Sequence, residues 1–161
     1  MNVDIEIVKK AIYWRGLFIT RYAAVELAIA ELVSRASLHE AYTHLGQPPF
    51  GSSKKFTRLN QVIALPGPIA DYQADLLAKL NDFAGYGEHR NFMVHAIMVP
   101  RDSKNIAFRM YDHREGDYSV GELQFEMKNL EDLATSIGGI SADFTALVAR
   151  ICREIPLPEC Q

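Results

Sequence analysis

Arg90-Asn91-Phe92-Met93-Val94-His95 sets an arginine, an asparagine and a histidine among apolar residues, inside what reads as a buried helix. Each helical step turns the chain by about 100°, so Asn91 and His95, four apart, stack on one face. Arg90 lies about 140° round from His95, on the flank of that face. One helix therefore does not bring Arg90 and His95 onto a single ligand. Two copies facing each other across a symmetric interface do, because each supplies groups the other lacks. If the three residues form a site, the geometry favours a homodimer.

Working outward, the segment belongs to a helical chain. From about Asp4 to Ser37, Trp14, Phe18, Tyr22, Val25, Ile29 and Val33 recur at steps of three or four, which predicts one long helix. Glu26 shares that apolar face and must find a donor or stay near water. His39 to Gly51, with Gly46, Pro48 and Pro49, reads as a loop. Ser52 or Ser53 is expected to cap a short helix carrying Phe56, Leu59, Val62 and Ile63, which Pro66-Gly67-Pro68 ends. A third helical stretch starts near Ile69 and carries Leu76, Leu77, Leu80 and Phe83. Gly85 and Gly87 mark a kink or a break, after which helix is expected from Glu88 to Val99, stopped by Pro100.

The period then changes. Ile106, Phe108 and Met110 alternate with Ala107, Arg109 and Tyr111, and Leu123, Phe125 and Met127 alternate beyond the polar turn 112–117. That predicts a β-hairpin over about 105–127, with Tyr111 and Tyr118 packing it. Two strands alone are marginal, so the hairpin must lean on helices or on another subunit. A last helix is expected from Asn129, a capping residue, through Leu130, Leu133, Ile137, Ile140, Phe144, Leu147 and Ile151. Gly138-Gly139 within it suggests a kink or a close helix crossing. The expected class is mainly α: four to five helices, with one hairpin between the motif helix and the C-terminal helix.

Composition bounds what such a chain does. At 161 residues it is one domain by size, 1–161, and 48% hydrophobic residues argue against disorder. A net charge of −3 gives no global pull toward nucleic acid, so any such contact needs a local patch. No apolar run reaches membrane-spanning length and the N-terminus is unlike a signal peptide, so no membrane partner and a cytoplasmic location are expected. Cys152 and Cys160 have no ligand spacing, and neither a metal site, a cofactor nor a disulfide is expected. Cys152 reads as a small buried hydrophobe and Cys160 as accessible.

Arg90-Asn91-x-x-x-His95, late in a series of helices, resembles the Arg-x(4–6)-His signature of HEPN domains, in which a polar residue commonly follows the arginine. The order of elements is similar too: a long first helix, a short Phe/Leu helix after a loop, then the motif helix. The likeness covers roughly residues 4 to 153, with the hairpin as a variable insertion. It implies a HEPN-like helical bundle and metal-independent RNA cleavage at a composite homodimer cleft. It also implies a toxin or defence effector, with an antitoxin or nucleotidyltransferase as partner. His95 then acts as general acid or base on the ribose 2′-hydroxyl or the leaving oxygen, a role suited to an imidazole near neutral pH. Arg90 binds the scissile phosphate, and Asn91 orients His95 or donates to a phosphate oxygen. The product is a 2′,3′-cyclic phosphate, and DNA resists because it lacks the nucleophile. In the family pattern a tyrosine that accepts nucleotides follows the histidine; here Met98, Val99 and Pro100 stand there.

Around the motif, Glu88 and His89 are candidates to face the cleft, Tyr86 to stack on a base, and Glu26 to pair with Arg90. Each has a plainer reading. His95 also reads as a helix-end histidine on nearby carbonyls. Arg90 serves as a surface cation, and Glu26 as a structural group. His39, His44, His89 and His113 read as loop or surface residues, and Lys54, Lys55 and Arg58 as a solvated stripe. The alternative functions are a non-catalytic dimerisation or interaction module and an accessory subunit of a nucleotidyltransferase.

Overall fold

The structure is a computed structural model that describes residues 5–114, 117–155 and 157–158, without the side chains of 112–118. His113, Tyr118 and Cys160 thus lie outside the described side chains. The fold is mainly helical, with a small antiparallel sheet. In chain order it runs α1 (Ile5–Ser37), α2 (Ser52–Ala64), α3 (Gln73–Ala84), α4 (Gly87–His95), β1 (Ile97–Pro100), β2 (Asn105–Arg114), β3 (Asp117–Glu126) and α5 (Met127–Glu154). Single 3-10 turns precede α2 and α3. The contacts fall into two compact units, residues 1–22 with 85–139, and residues 23–84 with 140–161.

The first unit carries the motif. The start of α1 buries Ile7, Ala11, Phe18 and Tyr22, the start of α5 buries Leu130, Ala134 and Ile137, and α4 buries Phe92 and Met93. The sheet order is β1-β2-β3, so β2 is central. Ile97 pairs with Arg109 and Pro100 with Ile106 on one side of it; Asn105 pairs with Glu126 and Tyr111 with Val120 on the other. The hairpin is therefore present, and a third strand is added to it.

That strand corrects the expectation that helix runs on to Val99. The helix stops at His95, and residues 97–100 pair with β2. Ile97 and Val99 are β-branched, and the ladder bonds offered by β2 outweigh the weak helical preference of the apolar run. Tyr111 does not pack the hairpin. It is 82% exposed, opposite the exposed Val120, beyond the point where β1 ends its cover of β2. Phe92 of α4 rests over Gly121 of β3, where a Cβ would stand 3.3 Å from the ring. A side chain there would push α4 off the sheet.

Two helix starts differ from expectation. α5 begins at Met127, not Asn129, because β3 runs straight into it and the Met127 amide donates to the Lys104 carbonyl at 2.9 Å. Gly51 holds the cap position of α2 with no side-chain cap bond, and Ser52 is already helical. The α2 start thus uses no side-chain oxygen as its cap. α5 runs unbroken through Gly138-Gly139, while the chain does break between α3 and α4, at Gly85 and Tyr86.

The second unit is all helical. The rest of α1 buries Val25, Ile29, Leu32, Val33 and Ala36. α2 buries Leu59, Val62 and Ile63, α3 buries Leu76, Leu80 and Phe83, and α5 buries Phe144, Leu147, Val148 and Ile151. Phe56 and Phe83 stack with centroids 5.5 Å apart. The Ile69 amide donates to the buried Tyr42 hydroxyl at 3.1 Å, and burial raises the Tyr42 phenol above its ordinary value. Exposed pairs rim this core, Lys79 to Asp143 at 2.7 Å and Arg150 to Asp75 at 3.0 Å. Each buried aliphatic contributes about 1.5–3 kcal/mol, whereas solvent screens the exposed pairs, so the apolar stripes decide the packing. Arg58 is more than a solvated cation: its guanidinium donates to the Gly46 carbonyl at 3.1 Å and so closes the loop before α2. Among the described residues no helix is long and apolar enough to cross a membrane.

Candidate functional site

α4 is nine residues long, too short to persist alone, and its placement comes from tertiary contacts. Phe92 and Met93 point into the unit, while Glu88, Asn91, Val94 and His95 are exposed. Those four positions fall at steps of three and four, one helical stripe. Asn91 and His95 thus share a face, and that face is open to solvent rather than buried. Arg90 lies on its flank, half-buried, with its amide bonded to the Tyr86 carbonyl at 2.9 Å.

The decisive neighbour is Arg15 of α1. Its Nε donates to the Met93 carbonyl at 2.5 Å, and its Nη2 donates to the Ala96 carbonyl at 3.1 Å and the Val94 carbonyl at 3.5 Å. The guanidinium also lies over the Phe108 ring, 5.7 Å from its centre. A cation at a helix C-terminus satisfies orphan carbonyls and opposes the negative end of the dipole. Burial lowers the Arg15 pKa from its usual value, but a guanidinium still stays charged across ordinary pH. The end carbonyls that His95 would hold in its plain reading are already occupied. The imidazole of His95 and the amide of Asn91 make no hydrogen bond to any described residue.

Sequence reasoning missed Arg15, although a signal was present. It continues the stripe Ile7, Ala11, Phe18, Tyr22 at steps of three and four, and a cation on a buried stripe must find acceptors.

The other candidates are arranged as follows. Glu88 is exposed on the Asn91–His95 stripe. Tyr86 caps α4 half-buried, its ring 6.3 Å from Phe18 and 6.4 Å from His89. His89 is half-buried on the helix rather than on a loop; its ring packs 6.0 Å from Phe125, and its Nδ1 is buried without a hydrogen-bond partner. Glu26 is half-buried in α1 and belongs to the other unit. Cys152 is half-buried on α5.

The chain therefore presents an unengaged imidazole and amide side by side, with a guanidinium to one side and exposed apolar Val94 and Ile97 beside them. Such a set can donate to and exchange a proton with a ligand laid along the stripe. Compared with protein-family models, curated proteins and solved structures, the chain matches none.

Proposed function

We propose that this chain is an endoribonuclease of HEPN type, acting as a homodimer on the 2′-hydroxyl of RNA. The observation that carries the reading is the Asn91–His95 stripe: two polar groups with no structural task, on a helix whose end is already sealed by Arg15. His95 serves as the general acid or base, Arg90 holds the scissile phosphate, and Asn91 positions one of them. Val94 and Ile97, 37% and 65% exposed, supply apolar surface beside the stripe for a twofold contact. The cyclic phosphate product follows from internal attack by the 2′-hydroxyl. A toxin or defence role, with an antitoxin or nucleotidyltransferase as partner, belongs to the same proposal.

The test is incubation of purified protein with mixed RNA, beside Arg90→Ala and His95→Ala. The expected result is cleavage to 2′,3′-cyclic phosphate ends, lowered about 100-fold or more in each variant. Cleavage retained in both variants would end the mechanism. The same exposed apolar residues favour a second reading, a non-catalytic dimerisation module. A stable dimer of the wild type with no RNA turnover selects it.

A further inference from the structure

α1 runs unbroken from Ile5 to Ser37. At about 100° per residue, Ile12, Tyr13, Gly16, Thr20, Ala23 and Leu27 fall within one arc of about 100°. All six are exposed, Ile12 at 57% and Leu27 at 71%. The arc lies opposite the buried stripe through Phe18, Val25 and Ile29. Exposed apolar groups also occur singly on this chain, as at Phe50. On α1 they form a row about four turns long with no charge in it. A helix face turned to water ordinarily carries charge. Even the Thr20 hydroxyl is spent within the helix, donating to the Gly16 carbonyl at 2.9 Å. Gly16 weakens the helix interior, yet nothing lies within 4 Å of where its Cβ would stand. No contact inside the chain calls for that glycine, whereas the close approach of a second backbone does.

The ends of the row name the occupant. On the same arc Lys9 precedes it and Glu31 follows it, both exposed. Their bonds, Lys9 to Glu6 at 2.8 Å and Glu31 to Arg35 at 3.1 Å, are local pairs between neighbouring turns, weak in water. From Lys9 to Glu31 the row reads large, small, hydroxyl, small, large, with opposite charges at its ends. Turned end for end, a second copy sets Ile12 against Leu27 and Gly16 against Ala23. Thr20 then lies beside the axis, and Lys9 falls within one residue of Glu31 at both ends. A parallel copy sets Lys9 on Lys9 and Glu31 on Glu31, which like charges oppose.

We infer that the outer face of α1 docks a second copy of this chain, antiparallel, across a twofold axis beside Thr20. The inference stands apart from the ribonuclease reading and uses a face other than Val94 and Ile97. A chain that uses both faces assembles beyond a dimer.

The experiment follows mass by light scattering over a concentration series. It adds disulfide trapping in protein with Cys152 and Cys160 replaced by serine. Self-association is expected, weakened about tenfold or more in Leu27→Glu, with circular dichroism checking that the variant keeps its helix content. Lys9→Glu is expected to weaken it about threefold, and adding Glu31→Lys to restore it. Thr20→Cys is expected to link two copies on oxidation. Leu27→Cys is not, because its two thiols stand about 20 Å apart along the paired helices. A monomeric wild type, unchanged association in Leu27→Glu, or linking in Leu27→Cys but not in Thr20→Cys overturns the inference. Association that survives Leu27→Glu but not Ile97→Glu sinks the α1 face and leaves the α4 contact standing. If the α1 variants behave as expected but no RNA is cut, only the catalytic reading fails.

Discussion

Gly138 offers a quantitative check on the packing of the motif-bearing unit. A Cβ placed there would stand 2.6 Å from Nη1 of Arg21, 2.7 Å from Cζ and 2.9 Å from Nε. The guanidinium occupies that space to donate from Nη1 to the Ala134 carbonyl at 2.5 Å. Gly138→Ala therefore has two opposed effects. It removes the penalty of glycine in a helix interior, a gain of about 0.8–1 kcal/mol. It also evicts Arg21 and breaks a charge-assisted, part-buried hydrogen bond worth about 1.5–3 kcal/mol. In the wild type the sum is a net loss of about 0.5–2 kcal/mol. In an Arg21→Met background the bond is already gone, and the shorter, flexible thioether has no guanidinium to be evicted. There the same substitution should stabilise by up to about 1 kcal/mol, a rise in Tm of about 2–4 °C. The assay is a double-mutant cycle by urea unfolding, with an expected coupling of about 1.5–3 kcal/mol. Equal effects of Gly138→Ala in both backgrounds would refute the claim that the glycine exists to admit the guanidinium.

Two further outcomes follow from other contacts. Arg15→Met keeps much of the apolar stem but strips the α4 end of its donors; stability to urea should fall by about 2–4 kcal/mol, and a loss under about 0.5 kcal/mol would contradict the clasp. On the sheet, hydrogen bonds from Arg101 and then Arg109 lower the Glu122 carboxyl below its ordinary value. The folded state thus binds fewer protons there than the unfolded one, so the stabilisation is present above the ordinary carboxylate range and disappears as pH falls through the lowered value. Glu122→Gln should melt below wild type near neutrality and with it in strong acid, as read by Tm across pH; a gap that widens in acid contradicts this sign.

The parts of the fold that local periodicity governs were legible. α1 shows its buried stripe from Phe18 to Val33, and the alternation around Phe108 and Phe125 marks β2 and β3. What local pattern could not show depends on distant partners. Ile97-Met98-Val99 reads as more helix until β2 is beside it, since the same apolar run satisfies either period. The start of α5 depends on the Lys104 carbonyl, a group no nearby spacing announces. At the candidate site, the shared face of Asn91 and His95 was visible from their spacing. Its exposure was not, because that follows from which side of α4 the sheet and α1 cover. Arg15 reaches its carbonyls from 78 residues away, and only its odd position on an apolar stripe betrayed it.

The brevity of α4 has a consequence for how such a chain changes over generations. Nine residues hold Asn91 and His95 in line only while Arg15 grips one end and Phe92 stays seated over Gly121. Drift at Arg15 or Gly121 would scatter the pair as surely as replacing the histidine. Descendants could thus lose that alignment with every motif letter intact, and a survey that reads only those letters would not register the loss.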